Sequence, residues 1–148
     1  MTEPRSPRYP SIEALGITGI PEVVGGDNIG QMIVDAAQLQ GTPILDGDIL
    51  IITQKIVSKA EGMLVSLATV TPSHFAKEYA ERTGRDPRLI ELVLRESRSI
   101  VRMDHERGVL ITETNHGFIC ANAGIDQSNI PEDDTVCLLP KDPDLSAN

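Results

Sequence analysis

Apolar and polar positions follow two different periods along this chain. Ile29, Met32, Ile33, Ala36, Ala37 and Leu39 recur at helical spacing. They predict an amphipathic helix with Asp27 as its N-cap after Gly25-Gly26, stopped by Gly41 and Pro43. Thr71-Pro72 opens a second helix, with Thr71 as N-cap and Pro72 at the first helical position, running through Phe75, Ala76, Tyr79 and Ala80 to Gly84. Asp86-Pro87 repeats the device for a third, carrying Leu89, Ile90, Val93 and Leu94.

Between the helices the pattern shortens. Ile49-Leu50-Ile51-Ile52-Thr53 is an unbroken apolar, mostly β-branched run after the turn Asp46-Gly47-Asp48, the composition of a strand buried on both faces. Ile12 to Ile17, Met63 to Leu67 and Thr135 to Leu139 read as further strands. Ile100 to Met103 and Val109 to Thr112 pair around a polar turn and lead through Asn115-His116-Gly117 into a buried strand at Phe118 to Ala121. Strands mixed with helices, including an antiparallel hairpin, predict an α+β (mixed α/β) fold. Residues 1–11, with three prolines and two arginines up to Pro10, read as a disordered tail before a domain over residues 12–148.

Composition narrows the picture. The 148 residues suffice for one domain with its own core. Aromatics make up only 3% of them and Trp is missing, so that core is aliphatic. A formal net charge of −9 argues against non-specific binding to nucleic acid or an anionic membrane, while leaving a nucleotide held by a few local cations open. The two cysteines, Cys120 and Cys137, have no clustered histidines, so no zinc site is expected, and Cys120 reads as a small buried hydrophobe. No targeting segment or long apolar span stands out, and a cytoplasmic location is the default.

Two loops have candidate chemistry. After Phe118 to Ala121 come Asp126, Ser128 and Asn129, hard oxygen ligands of the kind a Mg²⁺ or Mn²⁺ site beside phosphates needs. The plain alternative is an Asx-type turn. Gln54, Lys55 and Lys59 follow the Ile49 to Thr53 run, where polar groups at a strand exit can receive a ligand. The lysines can neutralise phosphate, although this segment alone favours two solvated lysines on a short helix. Neither standard glycine-rich phosphate loop is present. Asp104, His105 and Glu106 are read as a solvated turn rather than a metal site, and His74 as surface. His116 either bonds a substrate group or caps its turn.

Three blocks in this order and spacing, Gly19-Ile20-Pro21-Glu22-Val23, Val57-Ser58-Lys59-Ala60-Glu61-Gly62 and Asn115 to Asn129, resemble the coenzyme F-420 γ-glutamyl ligase family. The resemblance implies a ligase that uses GTP and Mg²⁺ or Mn²⁺ to add L-glutamate to the deazaflavin coenzyme precursor through an acyl phosphate. It implies that Ile20, Pro21, Glu22 and Val23 line the guanine nucleotide site. It likewise implies that Gln54, Lys55, Lys59 and Asn129 contact nucleotide, and that Asp126 is a metal ligand. No residue of the chain is assigned as catalytic in its own right. Members of that family continue into a second half with further metal ligands, so the chain is expected to be the N-terminal portion of a ligase domain, with a homodimer or a missing C-terminal half as partner. Two alternatives remain: a non-catalytic nucleotide-binding or assembly module, and an amide-forming ligase with another acceptor. An incomplete domain is also expected to expose apolar edges and self-associate.

Overall fold

The structure is a computed structural model that describes residues 10, 12–128, 130 and 134–147. Apart from Pro10, the expected N-terminal tail lies outside the described residues. The described residues form two compact units, those up to residue 22 with 30–49, and residues 23–29 with those from 50 onward. Helices combine with antiparallel sheets in an α+β arrangement. No described helix is long and apolar enough to cross a membrane.

The first unit is built on helix α1 (Ile29–Gln40). Its expected face holds at Ile33, Ala36 and Ala37, which are buried, whereas Leu39 is exposed. Gly41, at φ +84°, takes the left-handed conformation that ends the helix. The Gly41 and Thr42 N–H groups donate to Gln38 O and Ala37 O, closing the last turn. Asp27 is not the cap that was expected. It stands two residues ahead of the helix, and its carboxylate accepts from the Val24 N–H at 2.8 Å.

Ile12 to Ile17 do not form a strand, and a distant side chain takes the place of a partner strand. The Gln40 side-chain amide accepts from Thr18 N–H at 2.8 Å and donates to Gly16 O at 3.0 Å. One glutamine satisfies backbone groups that a neighbouring strand would otherwise pair. Ile49 to Thr53 depart further from expectation. They carry no strand pairing, and Ile49 and Ile51 are 87% and 92% exposed. Composition predicts a buried strand there, but a strand needs a neighbour to hydrogen-bond and a layer to cover it. Neither is found for this run among the described residues.

The second unit contains α2 (Gln54–Ala60), β1 (Leu64–Ser66), α3 (His74–Thr83), α4 (Pro87–Arg95), β2 (Ser97–Asp104), β3 (Val109–Thr114), β4 (Ile119–Ala121), β5 (Thr135–Cys137) and α5 (Pro143–Ser146). The described residues thus hold five helices rather than three. Near the end of the chain lies the one-turn α5, whose cap Asp142 accepts from Asp144 and Leu145 N–H. Asp142-Pro143 repeats the Asp86-Pro87 device, so that helix was readable. Asp86 caps α4 as expected, whereas α3 is capped by Ser73, two residues after Thr71.

Strands β2, β3 and β4 form one antiparallel sheet in that order, and β1 pairs with β5 in a second. The segment from Phe118 into β4 is not buried as expected: Phe118 and Ile119 are 61% and 66% exposed. Cys120 is half-buried, and Cys137 is the fully buried cysteine.

Helix α4 divides its apolar residues between two clusters. Leu89 and Leu92 pack with Leu67, Val136 and Leu138, while Ile90 and Val93 pack with Tyr79, Leu110 and Ala123. Burying each large aliphatic side chain contributes roughly 1.5–3 kcal/mol, so α4 is the main tie of this unit. Ile125 touches both clusters. It immediately precedes Asp126, so the core itself fixes where that carboxylate emerges.

Candidate functional site

Helix α2 presents Ser58, Lys59 and Ala60 as its buried face. Lys59 is only 7% exposed, and Lys55, one turn earlier, has a side chain 19% exposed. The solvated-lysine reading is therefore corrected: both cations are drawn inward. Gln54 donates from its amide to the Ser58 hydroxyl and, at 3.4 Å, to Leu138 O.

Asp126 reaches the same place along a constrained path. After β4, Asn122, Ala123 and Gly124 all have positive φ, at +51°, +53° and +72°. Such backbone is costly for a residue with a Cβ and persists where packing over-determines it; Ala123 is 1% exposed within the second cluster. This left-handed turn hands the chain to Ile125 and Asp126. Asp126 then exchanges both backbone hydrogen bonds with Cys137, at 3.0 and 2.8 Å.

The side chains meet there. Lys55 Nζ lies 2.6 Å from Asp126 Oδ2 and donates to Ser128 O at 2.6 Å and Ser128 Oγ at 2.8 Å. The Ser128 N–H donates to Asp126 Oδ1 at 2.8 Å. Lys55 first, and then that N–H, hold the Asp126 carboxyl down at about 2, against the opposing effect of burial. The Asx-type turn read as the plain alternative is present, and its carboxylate is also ionised and paired with a lysine. Asn129 lies outside the described residues.

Sequence reasoning gave Cys137 no place in the site. Its thiol donates to Leu138 O at 3.6 Å, and burial raises it above the ordinary thiol range against the opposing pull of Ser58 and of the charges on Lys55 and Lys59. It is thus a buried, neutral thiol whose backbone pairs with that of Asp126. The expected strand at Thr135 to Leu139 placed Cys137 on β5, but only the pairing with Asp126 locates it.

Val23 belongs to the same compact unit and is buried. Its segment runs beside the end of α2, where the Gly26 N–H donates to Ala60 O at 2.7 Å and Gly25 closely approaches Gly62. Ile20, Pro21 and Glu22 belong to the other unit.

A cleft of about 320 Å³ opens on the second unit, with Gln54, Val57, His116, Phe118, Leu139 and Pro140 among its lining residues. Its walls are mostly apolar, as small-molecule sites usually are. Gln54 adjoins Lys55 in sequence, and Leu139 follows two residues after Cys137, so the cleft and the charged cluster share backbone. His116 Nε2 lies 3.2 Å from Lys141 O and ties its turn to the segment before α5, rather than capping the turn. At Asp104 to Glu106 the solvated-turn reading stands: Asp104 accepts from Arg107 N–H at 3.0 Å, and His105 packs on Tyr79.

Among the described residues no three His, Cys, Asp or Glu side chains converge as a metal centre. The three oxygens around Lys55 Nζ nevertheless form a hard-donor cradle already holding a positive charge. Mg²⁺ and Mn²⁺ suit such oxygens, and Mg²⁺ in particular uses one or two carboxylates and completes its shell with water and substrate phosphate. The residues present fit that kind of ion.

The family profile described as F420-0:Gamma-glutamyl ligase matches residues 18–148. The chain belongs to this family. It is 48% identical over 136 residues to the coenzyme F420:L-glutamate ligase of Methanothermobacter thermautotrophicus, covering 92% of this chain and 53% of the relative. Identity to the enzyme of the same name from Methanopyrus kandleri is 49% over 122 residues, 82% of this chain and 45% of the relative. For Methanocaldococcus jannaschii it is 38% over 138 residues, 92% of this chain and 51% of the relative. The chain thus spans about half the length of the curated relatives it matches.

Proposed function

We propose that this chain carries the phosphate- and metal-binding part of a γ-glutamyl ligase that joins L-glutamate to the deazaflavin precursor of coenzyme F-420. GTP serves as the phosphoryl donor. The observation that carries this reading is the meeting of Lys55, Asp126 and Ser128 at 2.6–2.8 Å, with Lys59 buried on the same helix.

The chemistry asks for such a cluster. A carboxylate oxygen of the acceptor attacks the γ-phosphorus of GTP, forming an O–P bond while the β–γ bridge breaks and GDP leaves. The glutamate amine then attacks the acyl carbon, phosphate departs with the C–O bond pair, and the nitrogen loses a proton. Two anions must approach each other in the first step, so fixed positive charge is required. Lys55 and Lys59 supply it in this chain. Asp126, with the Ser128 oxygens, would hold the Mg²⁺ or Mn²⁺ ion, whose chemistry is to neutralise charge on the phosphates. Val23, Gln54 and Asn129 are assigned to the nucleotide with Ile20, Pro21 and Glu22, and the apolar cleft between Val57, Phe118 and Leu139 to the flat ring of the acceptor.

The test is direct. Incubation of the chain, alone or mixed with the C-terminal half of one of the relatives, with GTP, Mn²⁺, the deazaflavin precursor and ¹⁵N-glutamate should yield a labelled amide detectable by mass spectrometry. Absence of that product from both mixtures would falsify the assignment.

A further inference from the structure

We propose that the Lys55 ammonium and the divalent cation compete for a single cradle, to which Ser128 contributes two oxygens. This rests on the ligase reading above and adds an order to its binding events. Asp126 Oδ2, Ser128 O and Ser128 Oγ converge on Lys55 Nζ at 2.6, 2.6 and 2.8 Å. An ammonium has three protons, and these three oxygens take all of them. In this arrangement Lys55 has no donor left for a phosphate, and Asp126 faces a positive charge already in place.

The carboxylate side of the cradle does not depend on Lys55 for its place. The Ser128 N–H fixes Asp126 Oδ1 at 2.8 Å, and the Asp126 backbone is clamped to Cys137. Withdrawal of the ammonium leaves that preset carboxylate, with the two Ser128 oxygens beside it, for a hard cation. A nucleotide phosphate is the group that can draw Lys55 away, because it offers the ammonium new acceptors. Metal and nucleotide therefore bind together more strongly than either binds alone, and the coupling is reciprocal.

The test follows Mn²⁺ binding to the full 148-residue chain by electron paramagnetic resonance, with and without GTP. Without GTP, Lys55→Ala should bind Mn²⁺ about tenfold more tightly than the parent, within the usual range of coupling between sites. The neutral, near-isosteric Lys55→Gln should do the same, which guards against a folding defect in the alanine variant. Lys55→Arg keeps the charge and should stay close to the parent. GTP should raise Mn²⁺ affinity markedly in the parent and much less in Lys55→Ala. Adding Ser128→Ala to Lys55→Ala should reverse part of the gain. Neutral variants that bind Mn²⁺ no more tightly than the parent would overturn the proposal. Metal-dependent glutamylation with no such tightening would leave the ligase reading intact, whereas tightening without glutamylation would remove only that reading.

Discussion

The Lys55 ammonium and the Asp126 carboxylate, 71 positions apart in sequence, stand 2.6 Å from each other. Lys55 comes from the first turn of α2, and Asp126 from the exit of a left-handed turn packed on the core. Neither segment makes a site alone, and their meeting is a consequence of the fold.

That pairing has a pH signature. The folded Asp126 carboxyl titrates at about 2, below the ordinary value of 3.8. Between these values the unfolded chain takes up the proton more readily than the folded one. The contribution is therefore fully present above about pH 4 and is lost as pH falls toward 2. Asp126→Asn should flatten the fall in stability over that window, measured by denaturant melts at stepped pH. Asp86 and Glu91, also lowered by Arg88 and Ser73 respectively, keep the slope from vanishing.

Gly124 holds φ +72°, and a Cβ there would lie 3.1 Å from both terminal carbons of Leu139. Gly124→Ala should cost about 1–2 kcal/mol from the left-handed backbone. By pushing Leu139 into the cleft it should also raise KM for the acceptor more than KM for GTP. Urea denaturation and steady-state kinetics check the two halves. An unchanged acceptor KM would place the ring elsewhere.

Asp86 is the side-chain cap of α4, accepting from Arg88 N–H at 2.8 Å. Because α4 joins both core clusters, loss of the cap should register globally. Asp86→Ala should lower stability by about 1 kcal/mol, read as a shift of the urea midpoint at unchanged slope.

The exposed run Ile49 to Ile52 should make the chain associate with itself at micromolar concentration. Ile51, at 92% exposure, is the position to alter. Ile51→Lys should move the chain toward monomer in sedimentation velocity without lowering its melting temperature. A parent that is already monomeric would remove this run as an association surface.

Much of the fold was legible from local rules. The period of α1, the Asp86-Pro87 start of α4 and the β2–β3 hairpin depend on residues close in sequence. What misled was inference from composition to burial. Ile49 to Thr53 have the makeup of an inner strand, yet burial is decided by what lies alongside. Gln40 similarly replaces strand pairing at residues 16–18, and no residue in 12–17 announces it. In the site, Asp126 and Lys55 were each readable as ligand-capable. That Lys55 is paired and Lys59 buried, and that Cys137 pairs with Asp126, needed long-range contacts, including those of α2 with β5.

The measurement that bears most directly on the proposed activity is the ratio of GDP released to amide formed, followed in one reaction with Mn²⁺, GTP, glutamate and the deazaflavin precursor. The chain, alone or with the C-terminal half of a relative, should give one GDP per amide, and Asp126→Ala should abolish both together. GDP release that ignores glutamate and acceptor, or an Asp126→Ala variant as active as the parent, would contradict a ligase built on the Lys55–Asp126 site.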